Sequence, residues 1–151
     1  MNLDQQNASL NILLADDDLD DCSFFKKALL GIPIATNLTI VHDGEEVMEY
    51  LTANSKQLPD VLFLDLSMPR KTGFECLIEI KENVNLKDLP VVMFTTTLTK
   101  AVELDLKLAS TLYSMGAQDY IGKPAGFEKL KHVLHLALIR VIEKARLTKK
   151  E

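Results

Sequence analysis

The chain reads as an α/β protein: a doubly wound parallel sheet of five strands with five helices packed on both faces. Three observations predict this. Short apolar runs alternate with longer stretches of helical spacing along the sequence, the pattern of repeated strand–helix units. The middle runs, at 61–64 and 91–94, are wholly apolar, as strands covered on both faces must be; a half-exposed strand would alternate. Pro and Gly fall at the joints between segments, at Gly31, Pro33, Gly44, Pro59, Gly73, Pro90 and Gly116, where chain reversal is needed.

Strand one, 11–15, runs into Asp16, Asp17 and Asp18. Asp18 is placed as the N-cap of helix one, with Asp20 and Asp21 in the first turn, where the helix dipole favours carboxylates. Helix one turns Cys22, Phe25 and Leu29 inward, and Gly31 with Pro33 ends it. Strand two, 37–41, passes through His42, Asp43 and Gly44 into helix two, which buries Val47 and Leu51. Strand three, 61–65, ends on Asp65, and a turn from Met68 and Pro69 to Gly73 leads into helix three, with Phe74, Leu77 and Ile78 on its apolar side.

Strand four, 90–95, ends on Thr95; helix four carries Ala101, Leu104, Leu108, Leu112 and Met115. Strand five, 119–122, ends at Lys123 and Pro124. Helix five presents one broad apolar face of Phe127, Leu130, Val133, Leu134, Ala137, Leu138 and Val141. Leu136, Ile139 and Ile142 point elsewhere and suggest a contact surface for a partner or a second copy. Its basic end, Arg140, Lys144, Arg146, Lys149 and Lys150, reads as solvated and favourable to the helix dipole. His42, His132 and His135 read as surface residues. The domain is expected over 8–147, with a frayed tail at 148–151 and no output domain.

Size and charge narrow the function. A chain of 151 residues with 47% hydrophobic content has room for a single domain with a proper core. A net charge of −5 argues against non-specific nucleic-acid binding, which needs a basic surface. No run of about eighteen apolar residues exists to span a membrane, and the first residues lack a cationic segment followed by an apolar one. Cys22 and Cys76 are isolated thiols with no zinc spacing, read as reduced. The cytoplasm is the expected location.

The strand ends carry the chemistry. In an open α/β sheet the carboxyl ends of parallel strands meet at one edge, where ligands bind. Asp16, Asp17, Asp65, Thr95 and Lys123 would converge there. Crowded carboxylates repel one another unless a cation intervenes, and magnesium suits one or two carboxylates plus phosphate oxygens. Lys123 and the Thr95 hydroxyl would then face two oxygens of a phosphoryl group, with the metal on a third. Asp65, at the end of a central strand and followed by an exposing turn, is the best nucleophile.

These residues fall in motifs that resemble the receiver domain of bacterial two-component response regulators, of the single-domain chemotaxis type. The motifs are ILLADDD at 12–18, VHDGE at 41–45, LDLSMP at 64–69 with GFE at 73–75, PVVMFTT at 90–96, GA at 116–117 and DYIGKP at 119–124. The resemblance implies a flavodoxin-like sheet of order 2-1-3-4-5. It implies that Asp65 accepts a phosphoryl group from a sensor histidine kinase, a hybrid kinase or a phosphotransfer protein. Asp17, Asp65 and the Ser67 carbonyl would bind Mg2+ directly, and Asp16 through water. Thr95 and Tyr120 would be the switch pair, changing the surface of helix four, strand five and helix five toward a downstream target or a second copy. Ser67 and Thr97 would tune dephosphorylation, and the Lys123–Pro124 bond would be cis.

Two departures from the family pattern stand out: about six extra residues between Thr95 and Tyr120, and a bulky Thr96 beside the site. The rival readings are a phosphorelay intermediate, a receiver-like scaffold that is never phosphorylated, and an aspartyl-nucleophile phosphatase. The last usually has a second acid two residues after the nucleophile, where this chain has Ser67. A nucleotide or flavin binder is disfavoured because Asp16, Asp17 and Asp18 would repel a phosphate.

Overall fold

The structure, a computed structural model, describes residues 9–96 and 102–149. Its strands are β1 (Leu10–Ala15), β2 (Thr36–Val41), β3 (Val61–Leu64), β4 (Val91–Thr95) and β5 (Asp119–Gly122). The helices between and after them are α1 (Leu19–Leu30), α2 (Gly44–Ala53), α3 (Gly73–Glu82), α4 (Val102–Ser114) and α5 (Phe127–Lys149). The strands form one parallel sheet in the order β2-β1-β3-β4-β5, as expected.

Strand periodicity divides the core in two. Leu13, Ala15, Leu62, Leu64, Val91 and Met93 face one side, packed with Val47 and Leu51 of α2, Cys76, Leu77 and Ile80 of α3, and Leu112 of α4. Ile12, Leu14, Val61, Phe63, Val92 and Phe94 face the other, against Phe25 and Leu29 of α1 and Leu134 and Leu138 of α5. Phe25, Phe63 and Phe94 meet edge to face with ring centroids 5.1–6.2 Å apart, fixing α1 over the centre of the sheet. The two cysteines lie on opposite faces, buried and free.

The caps follow the local sequence. Asp18 accepts hydrogen bonds from the Asp20 and Asp21 amides, and Asp43 accepts one from Glu46. Thr72 and Glu75 close a capping box at α3. Two glycines are set by close approach: a Cβ on Gly44 would lie 2.1 Å from the Lys71 carbonyl oxygen, and one on Gly73 would lie 2.2 Å from that of Asp65. They seat the starts of α2 and α3 against the loop that follows Asp65.

Some expectations are corrected. Ile78 is 46% exposed; α3 buries the expected Leu77 together with Cys76 and Ile80, since those positions face the sheet. Phe127, expected on the buried face of α5, is 42% exposed beneath the Lys131 ammonium, because it opens the helix at its rim. Among the described residues no peptide bond is cis, so Lys123–Pro124 is trans, against the implied form. Trans is the lower-energy isomer of an X-Pro bond. Thr97 and the loop ahead of α4 lie outside the described residues, as do 150 and 151 of the expected tail. No helix among the described residues is long and apolar enough to cross a membrane.

Candidate functional site

Parallel pairing brings the ends of β1, β3, β4 and β5 to one edge. The pairs Ala15 with Leu64, Leu64 with Met93, and Thr95 with Gly122 place Asp16, Asp65, Thr95 and Lys123 side by side although they are distant in sequence. Asp65, one residue beyond β3, is buried at 6% exposure. Both of its oxygens are engaged. Oδ1 accepts from Thr95 Oγ1 at 2.9 Å and from the Ser67 amide at 3.2 Å; Oδ2 accepts from Lys123 Nζ at 3.1 Å.

Asp16 is almost fully buried. Its Oδ1 accepts from the Asp18 amide at 3.0 Å and its Oδ2 from Lys123 Nζ at 2.7 Å. Burial pushes its carboxyl up to about 6, although the Lys123 ammonium and the Asp18 amide pull it back. For Lys123, burial alone would lower the ammonium's value, but the hydrogen bonds it donates to Asp16 and Asp21 and the charge of Asp65 hold it above the ordinary one. Nζ also sits 5.6 Å from the centre of the Phe94 ring.

The exposed Asp17 adds a third carboxylate beside Asp16 and Asp65. Carboxylate oxygens of Asp16, Asp17 and Asp65 lie within 4.8 Å of one another, the sole such metal-capable group of acids, histidines and cysteines among the described residues. An all-oxygen donor set facing solvent on one side is what a hard cation requires. The buried, proton-prone carboxyl of Asp16 is a group that such a cation would keep ionised.

Asp21 was missed. Its Oδ2 lies 2.8 Å from Lys123 Nζ, so the lysine serves three carboxylates. The sequence assigned Asp21 only to the helix dipole, and no local signal in it shows the reach to Lys123, a contact across 102 residues set by how α1 packs beside the sheet. A second missed group lies on the α4–β5–α5 side. Asp119, 7% exposed, accepts from Arg140 Nη1 at 2.6 Å, from the Tyr113 hydroxyl at 3.2 Å and from the Tyr120 amide at 3.0 Å, joining three elements. Tyr120 is half-buried against the core on the α2–α4 face. Exposed His42 places Nδ1 3.1 Å from the Asp16 carbonyl oxygen. His132 and His135 border a shallow depression between α5 and the end of α1, away from the acidic edge.

A five-stranded parallel sheet carrying an acidic cluster, a lysine and a hydroxyl at its carboxyl edge is the architecture of signalling receivers, proteins that take up a phosphoryl group and relay a signal. The chain belongs to the response regulator receiver domain family, whose profile matches residues 12–135. It is 36% identical over 98 residues to response regulator Rcp1 of Synechocystis sp., covering 62% of this chain and 67% of that protein. Two solved structures are similar in sequence and shape. The phosphorylated cyanobacterial phytochrome response regulator RcpA is 32% identical with a TM-score of 0.72, over 85% of this chain and 90% of its own. The Mn(2+)-bound form of Rcp1 is 29% identical with a TM-score of 0.69, over 83% and 88%. The receiver domain of this family serves phosphorylation-based signalling as a phosphoacceptor and is generally not itself an enzyme.

Proposed function

We propose that the protein accepts a phosphoryl group on Asp65 from a sensor histidine kinase, a hybrid kinase or a phosphotransfer protein, in a magnesium-dependent reaction. The observation that carries this reading is the engagement of both Asp65 oxygens, by Thr95 on one and Lys123 on the other. Those donors also suit the oxygens of an incoming phosphoryl group. An Asp65 oxygen forms the new bond to phosphorus as the bond to the donor's imidazole nitrogen breaks. The imidazole keeps the electron pair and takes a proton from solvent.

The metal fits the acidic cluster: Asp16, Asp17, Asp65 and the Ser67 carbonyl would hold Mg2+, whose charge supplies neutralisation of a phosphoryl oxygen. Lys123 neutralises a second oxygen and Thr95 donates to a third. Ser67, next to the site, borders the approach of the water that later attacks phosphorus and releases inorganic phosphate; Thr97, outside the described residues, takes a part in tuning that step only by the family resemblance. Thr95 follows the phosphoryl group away from Asp65 Oδ1, and Tyr120 turns into the space left. The α4–β5–α5 surface then changes its affinity for a downstream target or a second copy.

The test is intact-mass spectrometry after incubation with acetyl phosphate and Mg2+. Wild type gains one phosphoryl group and Asp65→Asn gains none. An equal adduct on both variants moves the acceptor elsewhere, and no adduct on wild type, with or without a kinase, sinks the proposal.

A further inference from the structure

We infer that Asp21 is a positioning residue for phosphoryl acceptance, holding the Lys123 ammonium at the acceptor edge while Asp16 and Asp65 are occupied by the cation and the phosphoryl group. The inference rests on the reading of Asp65 as acceptor. Lys123 is the end of a flexible side chain with three donor hydrogens. In the structure they are matched by three carboxylates: Asp16 at 2.7 Å, Asp21 at 2.8 Å and Asp65 at 3.1 Å.

The three partners are not equivalent. Asp16 and Asp65 belong to the acidic cluster with Asp17, and Asp21 does not. A divalent ion drawing on Asp16 and Asp65 weakens their hold on the ammonium, since their negative charge is then shared with a nearer double positive charge. Once Asp65 carries phosphorus, its Oδ2 contact to Lys123 is replaced by one to a phosphoryl oxygen. Asp21 is the one carboxylate of the three that keeps its charge for Lys123 throughout. It is also well placed to do so. It projects from the first turn of α1, fixed by its own amide donating to Asp18 Oδ1 at 3.1 Å. Its carboxylate is about one-third exposed, against 11% exposure for Lys123. Both line a small groove of about 100 Å³ beside α5, together with the core residue Phe94. Asp21 thus stands on the solvent side of the lysine and draws Nζ across the site, so that the ammonium does not fold back onto Asp16 alone.

The experiment measures the initial rate of phosphoprotein formation by intact mass with acetyl phosphate at saturating Mg2+. The proteins are wild type, Asp21→Asn, Lys123→Ala and the double variant, with Mg2+ affinity followed by NMR titration of wild type and Asp21→Asn. Asp21→Asn, isosteric and partly exposed, is expected to accept phosphoryl roughly 3- to 10-fold more slowly. Its Mg2+ affinity should lie within about twofold of wild type. In the Lys123→Ala background the substitution should change nothing, because the residue it positions is gone. A wild-type rate in Asp21→Asn, a faster rate, an equal slowing without Lys123, or weakened Mg2+ binding each overturns the inference. Absence of any adduct on wild type refutes the acceptor reading instead, so the two failures are told apart.

Discussion

Thr95 Oγ1 donates to Asp65 Oδ1 at 2.9 Å, a buried contact across 30 residues of sequence between the ends of neighbouring strands. Thr95→Val keeps the shape and removes the donor, leaving that oxygen with the Ser67 amide. We expect a stability loss of about 1–2 kcal/mol in urea unfolding and phosphoryl acceptance slowed roughly 10- to 100-fold. Thr95→Ser should stay near wild type in both. If Val and Ser behave alike, the hydroxyl is not the group that matters.

Gly73 is a tight joint beside the acceptor, with no room for a methyl group against the Asp65 carbonyl oxygen. Because the obstacle is backbone, relief requires α3 or the loop to shift. Gly73→Ala should cost about 2–3 kcal/mol, at the upper end for overpacking. It should also slow acceptance at Asp65, since the same backbone carries the carboxylate. Wild-type midpoints in chemical unfolding would show that the joint yields freely.

The two thiols should be inert in the folded protein. Burial pushes Cys22 up to about 11 and Cys76 up to about 12, and each Sγ donates to a carbonyl oxygen 3.5 Å away, that of Asp16 and Gly44 respectively. At pH 8 both lie well below their folded-state values and so stay protonated, and neither is accessible. An aromatic disulfide reagent should therefore find no thiol within minutes in native buffer and both in guanidinium. Rapid native modification of either would contradict the placement of α1 or α3.

Cation binding should weaken in acid. The folded value of about 6 for Asp16 lies above the ordinary 3.8. Between roughly pH 4 and 6 the folded protein therefore holds a proton that the unfolded chain has released, and the stability this gives falls as pH rises through that window. A cation competes with the same proton. Mg2+ affinity should be steady above pH 7 and drop about tenfold between pH 7 and 5, as read by NMR titration. A flat affinity across pH 5–7.5 would mean that Asp16 does not take part.

Local patterns in the sequence determined the elements, because apolar period and capping chemistry act over a few residues. The all-apolar runs before Asp65 and Thr95 marked central strands, Asp18 and Asp43 marked helix starts, and the polar residues at four strand ends pointed to one edge. That edge exists because parallel strands align their carboxyl ends, so the assembly of Asp16, Asp65, Thr95 and Lys123 was legible before any coordinates. Tertiary structure alone decided which partners these groups take. The reach of Asp21 to Lys123 depends on the tilt of α1 over the sheet, and the joining of Asp119 to Arg140 and Tyr113 on how α4 and α5 flank β5. Helical periodicity puts a residue on a face, but rigid-body packing selects which part of that face is covered. For that reason Ile78 and Phe127 lie exposed where their spacing alone placed them inside.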